Sequence, residues 1–504
     1  MATLALLPLV LFAALLVGLR RSAAEAGAAA AVLAAVLAVL AFAYPVATPA
    51  FLGPLLEAAF TTATILWIIL PALAIYEWQE RTGRTALIGR WLASVSASPG
   101  VTALLVGWFF AIFLEGAAGF GTPVALAAPM LVGLGFPPVK ALLCALVGHA
   151  AGSSFGAVGT PMVPLLEGGL AEPAALSLLT LLLHAALGWM LAAIIWRLAS
   201  SQAEPAGGGP GAWQAVPAAA LLFFVPAALF AALTGPELPT LGGALVGAVG
   251  FVLLARRRWA REGAGSDAAA AAPSVRALLD AGLPYLLVLL LILATRLVAP
   301  VRDLLEQVEV AWSYAGAFSG TAAILYHPGT MLTAALLLTA AVQRESGAIL
   351  SGSIAAALRR LPAVALALLA VLLMARIMVH SGMIDALAAG AAELFGTWWP
   401  VAVPLVGALG AFVTGSATAS NIVFADFQTT TGQATGLGAT YALAGQGMGA
   451  AIGNIVAPHN IVAGAATVGL IGREGEVLKR TLPICLAYTV GGGMLLLMLA
   501  QAMG

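Results

Sequence analysis

The stretch "FFAIFLEGAAGFGTPVALAAPMLVGLGF", residues 109–136, decides the fold. Its flanks are apolar enough to enter a bilayer, yet its middle, "EGAAGFGTP", places Glu115, Gly116, Gly119, Gly121 and Pro123 where hydrocarbon is expected. A continuous spanning helix has no use for that composition. A segment that dips into the membrane and turns back does. The glycines permit a tight reversal without a Cβ clash, Pro123 suits the first turn of a returning half-helix, and Thr122 can cap its free amides. Backbone that leaves helical geometry at membrane depth must be surrounded by protein or a watery cavity, so the tip of such a hairpin is a place for a small anion. Close helix packing through small residues is the competing use of the same glycines.

The rest of the chain fits that setting. Of 504 residues, 62% are hydrophobic and 8% charged, and apolar runs of membrane-crossing length, roughly 17 to 25 residues, recur from end to end. The chain reads as an all-α polytopic membrane protein whose partner is the lipid bilayer. Its 21 basic and 21 acidic residues cancel, which leaves no argument for a nucleic-acid partner. Cys144 and Cys485 lie in apolar runs without disulfide or metal spacing. The chain shows no nucleotide loop, metal cluster or nucleophile motif, so neither a cofactor nor an enzymatic activity is expected, and no ring-like selectivity sequence suggests a channel. The first apolar run, residues 2–19, is followed rather than preceded by basic residues, the reverse of a secretory signal. It is expected to stay attached, with the N-terminus outside.

Twelve full spans are expected, near residues 2–19, 26–44, 60–76, 141–165, 174–196, 215–233, 240–255, 282–299, 321–341, 361–379, 437–471 and 481–500. Residues 99–135 and 397–430 remain as hairpins that enter and leave on one side. With that assignment most of the basic residues, including "RRRWAR" (256–261) and "GREGEVLKR" (472–480), fall on the inner side, and the C-terminus lies outside. The linkers "SSQAEPAGGGPG" (200–211) and "EGAGSDAAAAAPS" (262–274) read as flexible connections.

An internal repeat organises these spans. "GHAAGSSFGAVGTP" (148–161) aligns without a gap on "GQGMGAAIGNIVAP" (445–458), setting Gly148 on Gly445, Gly152 on Gly449, Gly156 on Gly453 and Pro161 on Pro458. Upstream, "EGAAGFGTP" faces "VTGSATASN" (413–421), and "TGRTAL" (82–87) faces "SGMIDAL" (381–387). The expected organisation is N-terminal helices 1–59, a first repeat 60–196 with hairpin 99–135 and broken helix 141–165, connecting scaffold helices 197–360, and a second repeat 361–504 with hairpin 397–430 and broken helix 437–471. On the assigned topology the two repeats are inverted, an arrangement by which secondary transporters build a midplane site. Gly119 is then expected to be reached from the cytoplasmic side and Ser416 from outside.

"FLEGAAGFGTPVA" (113–125), "LVGLGFPP" (131–138), "TGPELP" (234–239), "TGSATASN" (414–421) and "APHNIVAGAATVGLIGREGE" (457–476) resemble the signatures of the L-lactate permease family of bacterial 2-hydroxymonocarboxylate transporters. The resemblance covers about residues 60–485. It implies proton-coupled uptake of L-lactate and glycolate across the inner membrane, and an architecture similar to the ion-transporter superfamily, with two re-entrant hairpins, a dimerising scaffold and an elevator-like moving domain. One departure stands out: the family's pattern has a polar Asp or Asn where this chain has Ala417.

The residues themselves offer a site built from four segments. The first hairpin supplies Glu115, Gly119 and Thr122, and the first broken helix His149, Ser153, Ser154 and Thr160. The second hairpin supplies Thr414, Ser416, Thr418, Ser420 and Asn421, and the second broken helix Gln446, Asn454, His459 and Asn460. Hydroxyls and amides at half-helix N-termini can bind a carboxylate and an α-hydroxyl; the same side chains also join helices to one another, and both uses stay open. Glu115 is the candidate for proton coupling, because a carboxylate costs several kcal/mol to keep charged at mid-membrane. His149 and His459 share that candidacy with a purely structural role. His184 reads as a core histidine, the run Arg302, Asp303, Glu306 and Glu309 as a solvated outer loop, and Arg376 as either an interfacial residue or one that reaches the substrate. Sodium held by unwound carbonyls near Asn421 and Asn454 is the alternative coupling ion.

Overall fold

The computed structural model describes residues 1–19, 21–96, 98–119, 121–200, 212–259, 273–471 and 473–503. Both small-residue linkers lie almost wholly outside the described residues. Eleven of the described helices are long and apolar enough to cross a membrane, and three shorter apolar helices, Ala2–Ala13, Thr122–Gly133 and Pro328–Gln343, accompany them. The span expected at 321–341 is where the fold departs most from the sequence reading. Glu309–Tyr314 and Phe318–Ala323 pair as an antiparallel two-stranded sheet, and the helix starts only at Pro328. Pro328 lacks an N–H and fits a first helical position, while the His327 ring accepts from the Gly329 amide at 3.3 Å. Arg302 and Asp303, expected in a loop, form an exposed ion pair on the short helix Ala299–Glu306.

Two segments fold in the same order. Thr48–Arg81 and Gly347–His380 are both 34 residues long. Each ends near a left-handed glycine, Gly83 (φ 70°) and Gly382 (φ 76°), and leads into a short helix, Arg84–Ala93 or Met383–Phe395. A hairpin follows in both: Pro99–Ala117 returning as Thr122–Gly133, and Trp399–Thr414 returning as Ala417–Thr435. An interrupted helix comes next, and a long helix, Pro173–Ser200 or Glu474–Met503, closes the unit.

The matching 34-residue helices pack against each other antiparallel. Glu57, early in the first, meets Arg376 and His380, late in the second, whereas Glu77, late in the first, meets Arg360, early in the second. Equivalent elements of the two units therefore run in opposite directions, as an inverted repeat requires. At 1.5 Å per residue, the path from Glu57 to Glu77 rises about 30 Å, the thickness of a hydrocarbon core. The two ionic clusters thus bracket an apolar layer.

Glycines seat each hairpin on its interrupted helix. A Cβ on Gly148 would collide with the Gly107 carbonyl, and one on Gly453 would stand 2.6 Å from the Ala408 carbonyl oxygen. The glycines that align between the repeats are therefore packing positions of the hairpin–helix pair, which leaves the hairpin tips to form the site.

Candidate functional site

The first interrupted helix runs Pro138–His149, tightens through Ala150–Phe155, and then leaves helical geometry. Ala157 and Val158 have φ of 42° and 53°, and Gly159 has 83°. Two successive side-chain-bearing residues in the left-handed region are costly, and the Thr160 hydroxyl clasps the break by donating to the Ala157 carbonyl at 2.7 Å. The second interruption separates Ala439–Gly453 from Pro458–Thr467, and Asn460 Nδ2 donates across it to the Asn454 carbonyl at 3.1 Å.

The hairpin tips turn by different means. At the first, Gly119 and Gly121 have φ of 60° and 80°, and Pro123 occupies the first turn of the returning helix. Thr122 does not cap that helix: its hydroxyl donates to the Gly119 carbonyl at 2.8 Å. At the second tip Gly415 makes the turn (φ 73°), and Ser416 is the true cap, accepting from the Ala419 amide at 3.3 Å.

One cavity, of about 600 Å³, collects Glu115, Gly119, His149, Ser153, Thr160, Thr414, Ser416, Thr418, Asn454 and Asn460. Both tips open onto it, so Gly119 and Ser416 share one space here rather than facing opposite sides. The facing wall, Ile69, Leu368 and Val371 from the two long helices, is apolar. Ser22 and the helix Ala23–Ala41 also reach the cavity; nothing in the sequence periodicity signalled that an N-terminal helix approaches the site.

Other candidates do not line the cavity. Asn421 Nδ2 donates to the Pro161 carbonyl at 2.8 Å, Ser420 to the Gly407 carbonyl at 2.8 Å, and Gln446 Nε2 to Ser420 Oγ at 3.1 Å and Asn421 Oδ1 at 3.2 Å. These contacts tie the second hairpin to both interrupted helices. Ser154 joins His184 at 2.9 Å and donates to the Gly447 carbonyl at 3.0 Å, and His184 also meets Tyr488 at 2.9 Å, so His184 is a partnered core residue. The His459 side chain lies outside what is described.

The cavity's chemistry follows from its lining. Among the described residues no lysine or arginine lines it. Positive potential comes instead from three helix N-termini, at Thr122, Ala417 and Pro458, each equivalent to roughly half an elementary charge. Ala417 and Thr418 line the cavity at the start of their helix, where backbone N–H groups have no intrahelical acceptor. Ala417 has no polar side chain that could cover those amides. Glu115 is 6% exposed and shares the cavity lining with Ser153, whose hydroxyl donates to the His149 carbonyl at 3.1 Å. His149 Nδ1 donates to the Ala145 carbonyl at 2.9 Å, which leaves Nε2 of the neutral ring as an acceptor. Asn454 Oδ1 is buried without a hydrogen-bond partner.

Gly156 lies directly against the Glu115 carboxyl, where an added Cβ would collide with Oε1. Gly156→Ala is expected to fold and to displace the carboxyl within the cavity, lowering initial uptake about tenfold, a barrier change of about 1.4 kcal/mol. Wild-type uptake by this variant would show that the carboxyl's position is unimportant.

The chain matches the L-lactate permease family over residues 1–503. It is 30% identical to the L-lactate permease of Streptococcus iniae over 371 residues, covering 72% of this chain and 77% of that one. Identity to the L-lactate permease of Escherichia coli strain K12 is 29%, covering 84% and 82%. Identity to the glycolate permease GlcA of the same strain is 28%, covering 99% and 95%. The solved YdaH transporter of Alcanivorax borkumensis aligns with a TM-score of 0.47 at 17% identity, covering 90% of this chain and 87% of that one.

Proposed function

Because the chain belongs to the L-lactate permease family, a family of transporters rather than enzymes, we propose that it imports L-lactate and glycolate by proton symport through the cavity between the hairpin tips. The observation that carries this reading is a cavity whose polar face holds three helix N-termini and a buried carboxyl, with no basic side chain among its described lining. An anion entering there is stabilised by the uncovered amides at Ala417 and Thr418 and by neutralisation of Glu115. A protonated Glu115 removes the like charge that opposes the anion, so proton and substrate favour each other's binding reciprocally. Gly119, Ser153, Thr160, Thr414, Ser416 and Asn460 complete the polar surface around them, while Thr122, Ser154, Ser420, Asn421 and Gln446 hold the tips and interruptions in place. The same reading places the chain in a bacterial inner membrane with both termini outside, as a homodimer whose hairpin units move against the long helices.

Asn454 Oδ1, buried and unpartnered, is positioned to accept a hydrogen bond from an α-hydroxyl. Lactate is therefore expected to compete for uptake far better than propionate, by roughly 5- to 150-fold, because the deoxy acid leaves that acceptor unpaired at a cost of about 1 to 3 kcal/mol. Equal inhibition by the two acids in a competition assay would remove the basis for a hydroxyacid site. The same unpartnered oxygen favours a second reading, in which sodium bound beside the unwound turn replaces the proton. Lactate accumulation driven by a sodium gradient at equal pH would select that reading.

A further inference from the structure

A second cavity, of about 790 Å³, lies on the other side of the first interrupted helix. Ala157 and Thr160 line the cavity described above, whereas Val158 and Gly159, between them in sequence, line this one. The same three helices pass both: Ile69, Val371 and Thr418 border the first cavity, and their neighbours Ile68, Leu372 and Ile422 border the second. The broken turn is thus a thin septum between two stacked vestibules.

The second vestibule contains Arg376. Its guanidinium pairs with Glu167, lies 3.8 Å from Glu57, and keeps Nε buried without a hydrogen-bond partner. Glu57 is already engaged by His380 at 2.8 Å, and Asp426 lines the same space. Glu167 stands just beyond the septum's own helix, is 34% exposed at its side chain, and is followed by Gly168 and Gly169 with φ of 69° and 72°. Thr61 donates to it at 2.8 Å. Glu167 thereby fastens the end of the first interrupted helix to both long helices, through Thr61 on one and Arg376 on the other.

We infer that Arg376 is a docking site for the substrate's carboxylate in the second vestibule, and that Glu167 occupies it as an intramolecular stand-in. This rests on the reading of the chain as a carrier of lactate and glycolate. Replacing one carboxylate by another on a guanidinium conserves the ion pair, so the exchange leaves no buried charge unpaired. The two glycines give Glu167 the backbone freedom to swing aside. Its departure releases the end of the helix that carries the septum, so docking and loosening of the septum are one event.

Half-saturating lactate concentrations in right-side-out and inside-out vesicles test this. Glu167→Gln is expected to lower the value about tenfold from one face only, because a neutral amide competes poorly for the guanidinium and the docking state becomes the populated one. Thr61→Val, which loosens Glu167 without changing charge, moves it the same way by a smaller factor. Arg376→Gln raises it at least tenfold from that face, and Arg376→Lys falls between, since an ammonium keeps the charge but loses the planar fork. A merely structural bridge predicts that Glu167→Gln and Arg376→Gln impair uptake alike; that result, or an unchanged value in Glu167→Gln, overturns the inference while the carrier reading stands. Absence of lactate and glycolate uptake by the unaltered protein would sink the carrier reading and the docking site together.

Discussion

Glu115→Gln is expected to exchange lactate across a membrane at close to the wild-type rate and to lose accumulation driven by a proton gradient. The amide is nearly isosteric with a protonated carboxyl, keeps its capacity to donate a hydrogen bond and adds no charge, so binding between the tips persists. What it cannot do is take up and release a proton with each cycle. With one proton per lactate, each pH unit supports about tenfold accumulation, equivalent to about 1.4 kcal/mol; in the variant this gain falls to none. Exchange and gradient-driven uptake measured side by side in proteoliposomes separate the two. Undiminished accumulation would move the coupling role to another group, with His149 the first to examine because its Nε2 is left free and the residue lines the same cavity.

Gly148→Ala is expected to be the most damaging small change outside the cavity. Gly148 is fully inside the protein, and its added methyl would overlap the backbone carbonyl of Gly107 rather than the end of a flexible side chain. Backbone of a buried hairpin cannot yield locally, so the cost is on the order of 1 to 3 kcal/mol or more. Gly133→Ala, at a position with open space around it, serves as the control. The expected outcome is a large loss of monodisperse protein and a lower unfolding temperature for Gly148→Ala alone. Equal behaviour of the two variants would mean that the first hairpin is not seated on its interrupted helix as described.

The sequence made the main architecture readable because its strongest signals are physical requirements of a bilayer. The glycines and proline at 115–123, and Gly415 among the hydroxyl residues of 413–421, have few uses inside hydrocarbon other than a reversal, and the structure turns the chain at both places. The gapless glycine alignment pointed to a repeat, and matched element lengths from Thr48 and Gly347 extend it beyond the boundaries expected from hydropathy. The strand pair at 309–323 was not readable: its loop, Ala315–Gly316–Ala317, lacks the Asn or Asp that normally marks a tight hairpin. Which polar residues face the cavity was equally hidden. Ser153 and Ser154 are adjacent and alike, yet one lines the cavity and the other turns to His184, a difference set by the local tightening of the helix at Ala150–Phe155. Arg376 stayed ambiguous because its partners, Glu57 and Glu167, lie far away in the chain.

The most direct measurement follows proton movement with lactate. In sodium-free proteoliposomes holding a pH-sensitive dye, an inward lactate gradient without any initial pH difference should acidify the lumen at a saturable rate with wild-type protein, and only at the protein-free rate with Glu115→Gln. Saturable lactate entry by the wild-type protein without acidification above that background would contradict proton symport through this cavity.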